Sequence, residues 1–204
     1  MKFETTQFGL ASAEAREIAK TIKAAIFDLD GVIFPSSVYI GATFSPEDPN
    51  KGELMKQRSH VDGQGISLLR AAGIQIAFMT AESTGFADAL TGKLNSLPSV
   101  KDGSWPPIAL FSGKIGMGKA EQAEEWLKKI GLAWKDTACM GDDMGDVKML
   151  MKTALPAAPA QAEYEVKELA QFISHRIGGA GAVRDFCNFI LDAQGVDKFA
   201  LKLR

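Results

Sequence analysis

The feature that most constrains this chain is an alternation between two kinds of apolar segment. Six short runs, AAIF (24–27), IQIAFM (74–79), IALF (108–111), TACM (137–140), ALPA (154–157) and QFIS (171–174), are apolar throughout or nearly so. Such runs are too brief for helices and suit strands buried on both faces, as in a parallel sheet. Between them lie longer segments of helical period: SAEAREIAKTIK (12–23), GISLLRAAG (65–73), STGFADALTGKLN (83–95), GKAEQAEEWLKKIG (118–131), VKMLMK (147–152), AEYEVKELA (162–170) and GAVRDFCNFILDAQG (181–195). Several end in glycine, which closes helices. The pattern predicts an α/β domain. Within it, Trp126 and Leu127 should face inward from a helix whose Glu/Lys face is solvated, and Met140, Met144, Met149 and Met151 should fill core space.

Two stretches interrupt the alternation. Residues 34–60 combine the alternating SVYIGATF, the turn-forming SPEDPNKG and a returning ELMKQ, which predicts a projecting hairpin too short to be a second domain. Residues 96–107 read as an irregular loop held out of any helix by tandem prolines. With 204 residues and 46% hydrophobic composition, residues 1–204 are expected to form one domain. The 23 Lys and Arg residues balance 25 Asp and Glu residues without long blocks, so no nucleic-acid or membrane surface is indicated. Cys139 and Cys187 stand alone in apolar contexts without metal-ligand spacing, which favours a reducing compartment. The segment MKFETTQFGL lacks an apolar core with a cleavage site, and no run is long enough to span a bilayer. A cytoplasmic location is therefore expected.

In a parallel sheet the C-terminal strand ends form the binding edge. The first run ends in Asp28-Leu29-Asp30-Gly31, and the second in Thr80 followed by Ala81, Glu82 and Ser83. Lys119 precedes the helix AEQAEEWLKKIG, and TACM runs into GDDMGD, Gly141 to Asp146. Asp28, Asp30, Asp142 and Asp143 would repel one another in a partly buried cleft unless a cation lay among them. All-oxygen donors point to Mg²⁺. One carboxylate of the first pair can attack phosphorus, and its neighbour can protonate the leaving oxygen and then activate water. Thr80 and the amides after it suit phosphate oxygens, while Lys119 offsets the charge on the transferring group. Lys114 competes with Lys119 for this role, but the helix-start position and the spacing to GDD favour Lys119. His60 reads as a surface or interface residue.

DLDGV, a strand-final Thr, a Lys ahead of a helix and GDDMGD, in that order, resemble the four motifs of the haloacid dehalogenase superfamily of aspartate-nucleophile phosphatases. The stretch from GVIFPSSVYIG to ELMKQRSHVDGQGISLLRAAGIQIAFMTAES, the 22-residue step from Lys119 to Gly141, and ISHRIGGAGAVRDFCNFILDAQG narrow it further. They resemble the capless 3-deoxy-D-manno-octulosonate 8-phosphate phosphatases over about residues 12–195. The resemblance implies a Rossmann-like three-layer sandwich with a central parallel sheet, a β-hairpin insertion after the first strand and no separate cap domain. It implies Asp28 as nucleophile and Mg²⁺ ligand, and Asp30 as acid and base with its backbone carbonyl on the metal. Thr80 would hold the phosphoryl group, Lys119 would neutralise it and Asp142 would be the third metal ligand. Asp143 and Asp146 would orient Lys119 and the metal waters. The implied assembly is a homotetramer in which the hairpin packs among subunits and a neighbour helps cover each cleft. Subunit packing then accounts for Tyr39, Ile40 and Phe44 better than a membrane patch does.

The chain departs from that family at three positions where arginine is usual: Glu82, Val61 and Ala180. Arginine recognises carboxylates in bidentate fashion, and losing one from a buried site costs about 2 kcal/mol or more in binding. A sugar-acid phosphate is therefore the first expected substrate by resemblance, with a different sugar phosphate close behind. Arg70, Arg176 and Arg184 remain to take over part of the recognition. A metal-binding assembly protein with little turnover is the non-enzymatic alternative, and the intact Asp28, Asp30, Thr80 and Lys119 argue against it.

Overall fold

The computed structural model describes residues 3–41, 53–82, 85–113 and 118–202. In chain order the strands are β1 (Phe3–Thr5), β2 (Gly9–Ser12), β3 (Ala24–Asp28), β4 (Tyr39–Ile40), β5 (Glu53–Met55), β6 (Gln75–Thr80), β7 (Ile108–Ser112), β8 (Thr137–Met140), β9 (Leu155–Ala158) and β10 (Phe172–Ser174). The helices are α1 (Ala15–Ala19), α2 (His60–Ala71), α3 (Gly85–Asn95), α4 (Pro98–Lys101), α5 (Lys119–Lys129), α6 (Val147–Leu150), α7 (Tyr164–Leu169) and α8 (Ala182–Ala193). The main sheet has the order β1-β2-β10-β9-β8-β3-β6-β7, and its pairings from β10 to β7 are all parallel.

Strand periodicity divides the core into two layers, one on each side of the sheet. Ala25, Phe27, Ile76 and Phe78 face one side, where Ala15 of α1, Ile66 of α2, Leu90 of α3 and Phe186 of α8 pack against them. Ala24, Ile26, Ala77 and Met79 face the other, against Trp126 and Leu127 of α5, Leu150 of α6 and Val166 of α7. Phe186 stacks on Phe172 at 5.2 Å and meets Phe27 edge-on at 6.4 Å. Full burial of one such ring stabilises the fold by about 1.5–3 kcal/mol. The α/β class expected from the alternation, and the three-layer architecture that the resemblance implies, are the ones observed. After β3 the chain moves outward through β6 and β7, then returns to place β8 on the other flank of β3. The strand order reverses at β3, and the crevice at such a reversal is where open α/β sheets bind ligands.

Several local expectations are corrected. Residues 12–23 do not form one helix: Ser12 ends β2, and only the five residues of α1 are helical. Ser12 pairs with Phe3 of β1 as the last residue of β2, and its hydroxyl accepts a bond from the Ala15 N–H at 3.2 Å at the turn into α1. The antiparallel pair β1–β2 makes the sheet mixed at one edge, where only parallel strands were expected. Segment 96–107 contains α4, with Pro98 in the first helical turn, where its missing N–H costs nothing. Met140 and Met149 are buried, but Met144 and Met151 are exposed.

The expected hairpin exists as the antiparallel ribbon β4–β5, separate from the main sheet. Tyr39 and Ile40 are exposed on it, while its tip, with Phe44, lies outside the described residues. Cys139 and Cys187 are buried free thiols. Among the described residues, no helix is long and apolar enough to cross a membrane.

Candidate active site

β3 ends on Asp28, which is buried, and the chain then turns within a few residues. The Leu29 carbonyl accepts from the Ile33 and Phe34 N–H groups, and the Gly31 N–H donates to the Phe34 carbonyl at 2.9 Å. Gly31 takes φ +88°, a conformation open to glycine at little cost. The Gln161 side chain braces the turn, donating to the Gly31 carbonyl at 2.7 Å and accepting from the Gly178 N–H at 2.8 Å. Thr80 ends β6, Lys119 opens α5, and Asp142, Asp143 and Asp146 follow β8. Together with Asp28 and Asp30 they line one cleft of about 310 Å³.

The Lys119 ammonium lies 2.6 Å from Asp28 Oδ1 and 2.8 Å from Asp146 Oδ1. Burial alone would lower its pKa, but the charges of Asp28 and Asp146 raise it above the ordinary lysine value. Asp146 Oδ2 accepts the Asp142 N–H at 3.0 Å, so this carboxylate ties the loop after β8 to Lys119. Burial, then the nearby charge of Asp146, pushes the Asp28 carboxyl well above its ordinary value against the opposing pull of Lys119.

Asp28, Asp142 and Asp146 bring ligand atoms within 4.8 Å of one another. Burial, followed by the charges of Asp146 and Asp143, lifts Asp142 to about 6. Ser36 donates to Asp142 Oδ2 at 3.4 Å, while buried Asp142 Oδ1 has no hydrogen-bond partner among the described residues. A buried carboxylate oxygen without a donor, inside a group of like charges, fits a cation. The all-oxygen donor set suits a hard divalent ion. Asp143 is exposed, and its side chain accepts the Met144 N–H at 2.6 Å.

The Asp30 carboxylate does not belong to the group of three and has contacts of its own. Its Oδ2 accepts from the Thr80 hydroxyl at 3.3 Å, and its Oδ1 lies 2.7 Å from the Lys56 ammonium. Lys56 also reaches Glu82 Oε2 at 2.8 Å, and the Glu82 N–H donates to Thr80 Oγ1 at 3.1 Å. Burial would lower the Lys56 pKa, but its bonds to Asp30 and Glu82 raise it above the ordinary value.

Lys56, Ser36 and Gln161 were not identified from the sequence: Ser36 and Lys56 lie in stretches that carry the resemblance but were assigned no role, and Gln161 stands in none of the motifs. Of the arginines that remained available for substrate recognition, Arg70 is fully buried and donates to the carbonyls of Pro106 and Leu94 and to Asn95 Oδ1. Arg176 pairs with Asp185, and Arg184 Nε donates to Asn188 Oδ1. None of the three lines the cleft. His60 is exposed at the start of α2, beside a different cavity that it shares with Arg58. Lys114 and Ser83 lie outside the described residues.

The family model for haloacid dehalogenase-like hydrolases matches residues 70–181. The 3-deoxy-D-manno-octulosonate 8-phosphate phosphatase of Salmonella typhi is 28% identical over 190 residues, covering 93% of this chain and 90% of that protein. Among solved structures, the phosphatase of the same name from Yersinia pestis matches with a TM-score of 0.81 at 26% identity, covering 99% of this chain and 98% of that one. The corresponding Moraxella catarrhalis phosphatase was crystallised with a magnesium ion, a phosphate ion and a KDO molecule. It matches with a TM-score of 0.74 at 25% identity, covering 89% of this chain and 92% of that one.

Proposed function

The chain belongs to the haloacid dehalogenase-like hydrolases and is a phosphoric monoester hydrolase, and we propose that it hydrolyses a small sugar or sugar-acid phosphate through an aspartyl-phosphate on Asp28. The observation that carries this reading is the Lys119 ammonium between Asp28 and Asp146, at the strand-order reversal and beside Asp142. Asp28, Asp142 and the Asp30 carbonyl would hold Mg²⁺, with Asp146 orienting Lys119. When bound, the cation would neutralise phosphate oxygens and offset the repulsion among the carboxylates.

In the first half-reaction an Asp28 oxygen bonds to phosphorus and the bond from phosphorus to the leaving oxygen breaks. Asp30 gives its proton to that oxygen. In the second, Asp30 takes a proton from water, the resulting hydroxide attacks phosphorus, and the acyl-phosphate bond breaks to restore Asp28. Thr80 and the backbone beyond β6 cradle phosphoryl oxygens, and Lys119 holds Asp28 in place while balancing charge on the transferring group.

The relatives support 3-deoxy-D-manno-octulosonate 8-phosphate, or a nine-carbon analogue, as the first substrate to test. A neutral sugar phosphate is the second, because Glu82 lines the cleft and would repel a substrate carboxylate. Residues 1–204 act as one domain in this reading, and the ribbon β4–β5 joins subunits in a homotetramer. Phosphate release with and without Mg²⁺, over a panel of sugar-acid and neutral sugar phosphates, tests the assignment. Asp28→Asn serves as the blank and should abolish turnover with the fold intact; wild-type rates in that variant would remove Asp28 as nucleophile.

A further inference from the structure

Lys56 comes from outside the sheet, directly after β5, yet its side chain is only 3% exposed and reaches the cleft wall. A buried ammonium is tolerated only with anionic partners, and among the described residues Lys56 has two. It lies 2.7 Å from Asp30 and 2.8 Å from Glu82. The Thr80 hydroxyl holds the other oxygen of Asp30 at 3.3 Å. Both carboxylate oxygens of Asp30 are thus gripped from different elements, the ribbon on one side and the end of β6 on the other.

We propose that Lys56 is a positioning residue, which aims the Asp30 carboxyl group at the leaving oxygen and is itself anchored by Glu82. The inference rests on the reading of Asp30 as acid and base given above. A carboxyl group that must first give a proton to an alkoxide and then take one from water needs a fixed position in both steps. Glu82 supplies the anchor: its contact at 2.8 Å keeps the ammonium at the wall, beside Asp30. The ring of Phe86 at 5.9 Å closes a further side of the ammonium.

The test uses leaving groups of different basicity. An alkoxide released from a sugar phosphate needs a proton, whereas p-nitrophenolate scarcely does. Lys56→Met should lower kcat about tenfold or more on a sugar phosphate and by less than about threefold on p-nitrophenyl phosphate. Lys56→Arg should restore most of the loss, and Glu82→Gln should show the same split in weaker form. Glu82→Gln also carries the test if Lys56→Met does not fold, because the Glu82 side chain is 44% exposed.

Asp30→Asn is measured alongside. A leaving-group split in Asp30→Asn without one in Lys56→Met overturns the role of Lys56 alone. Absence of the split in Asp30→Asn overturns the acid–base reading itself. Equal losses on both substrates in Lys56→Met, or no loss, would mean a structural contact and no positioning.

Discussion

Gly31 and Asp142 pack so closely that a Cβ built on Gly31 would stand 1.8 Å from Asp142 Oδ2. The two residues come from loops after β3 and β8, so this contact fixes how near the two acidic loops approach. Gly31→Ala would meet the clash and also force a side chain into φ +88°, which costs about 1–2 kcal/mol by itself. We expect loss of metal-dependent turnover and weaker cation binding by calorimetry. Gly92→Ala is the contrast, since a Cβ there meets nothing within 4 Å inside α3. It should raise stability by about 0.5–1 kcal/mol with turnover unchanged.

Lys119→Met should cost more than a surface charge would. Its side chain is 13% exposed and its ammonium serves two carboxylates among the described residues, of which the Asp28 side chain is 7% and the Asp146 side chain 1% exposed. Removing one partner from a buried ion pair costs about 3–5 kcal/mol, because the remaining charges have no compensation. Urea denaturation in the presence of a chelator should register that loss, and phosphate release should vanish. A stability within 1 kcal/mol of wild type, roughly the worth of a surface pair, would show that the cluster is solvated in solution.

Stability should depend on pH through Asp142, with a sign opposite to that of a salt-bridged aspartate. Its folded value of about 6 lies above the unfolded value of about 3.9. The folded state then binds more protons between those values, so this contribution to stability falls as pH rises from about 4 through 6. In chelator, Asp142→Asn should flatten that fall, and Asp28 should leave part of it because its shift has the same direction. Saturating Mg²⁺ prefers the ionised carboxylates and should reverse the slope. Melting temperatures from pH 4 to 7.5, with and without Mg²⁺, measure both effects.

Deleting residues 40–55 should shift the proposed tetramer toward monomer in light scattering. Tyr39, Ile40 and Met55 expose large apolar side chains on the same ribbon, as a surface covered by another subunit would. An unchanged mass would place the interface elsewhere.

The sequence exposed what short-range chemistry writes into it. Runs such as AAIF and IQIAFM must be buried on both faces, and the carboxylates, Thr80 and Lys119 sit at predictable strand and helix ends. Long-range contacts were harder to read. β2 is a strand because β10 pairs with it, and of its four residues Ser12 alone fell in the segment read as a helix. Lys56 was missed because Asp30 and Glu82, its partners among the described residues, stand 26 residues away on either side, in different elements. Arg70 appeared available for substrate, but its fate is decided by the carbonyls of Leu94 and Pro106, which no local pattern reveals.

The ribbon β4–β5 carries a last consequence. Two strands of two and three residues have little stability of their own, and among the described residues they pair with each other and not with the eight-stranded sheet. If Lys56 positions Asp30 from this ribbon, the enzyme can fail while its core is still native. Heat inactivation should then run ahead of the calorimetric melt, and the gap should widen on dilution as subunits that brace the ribbon separate.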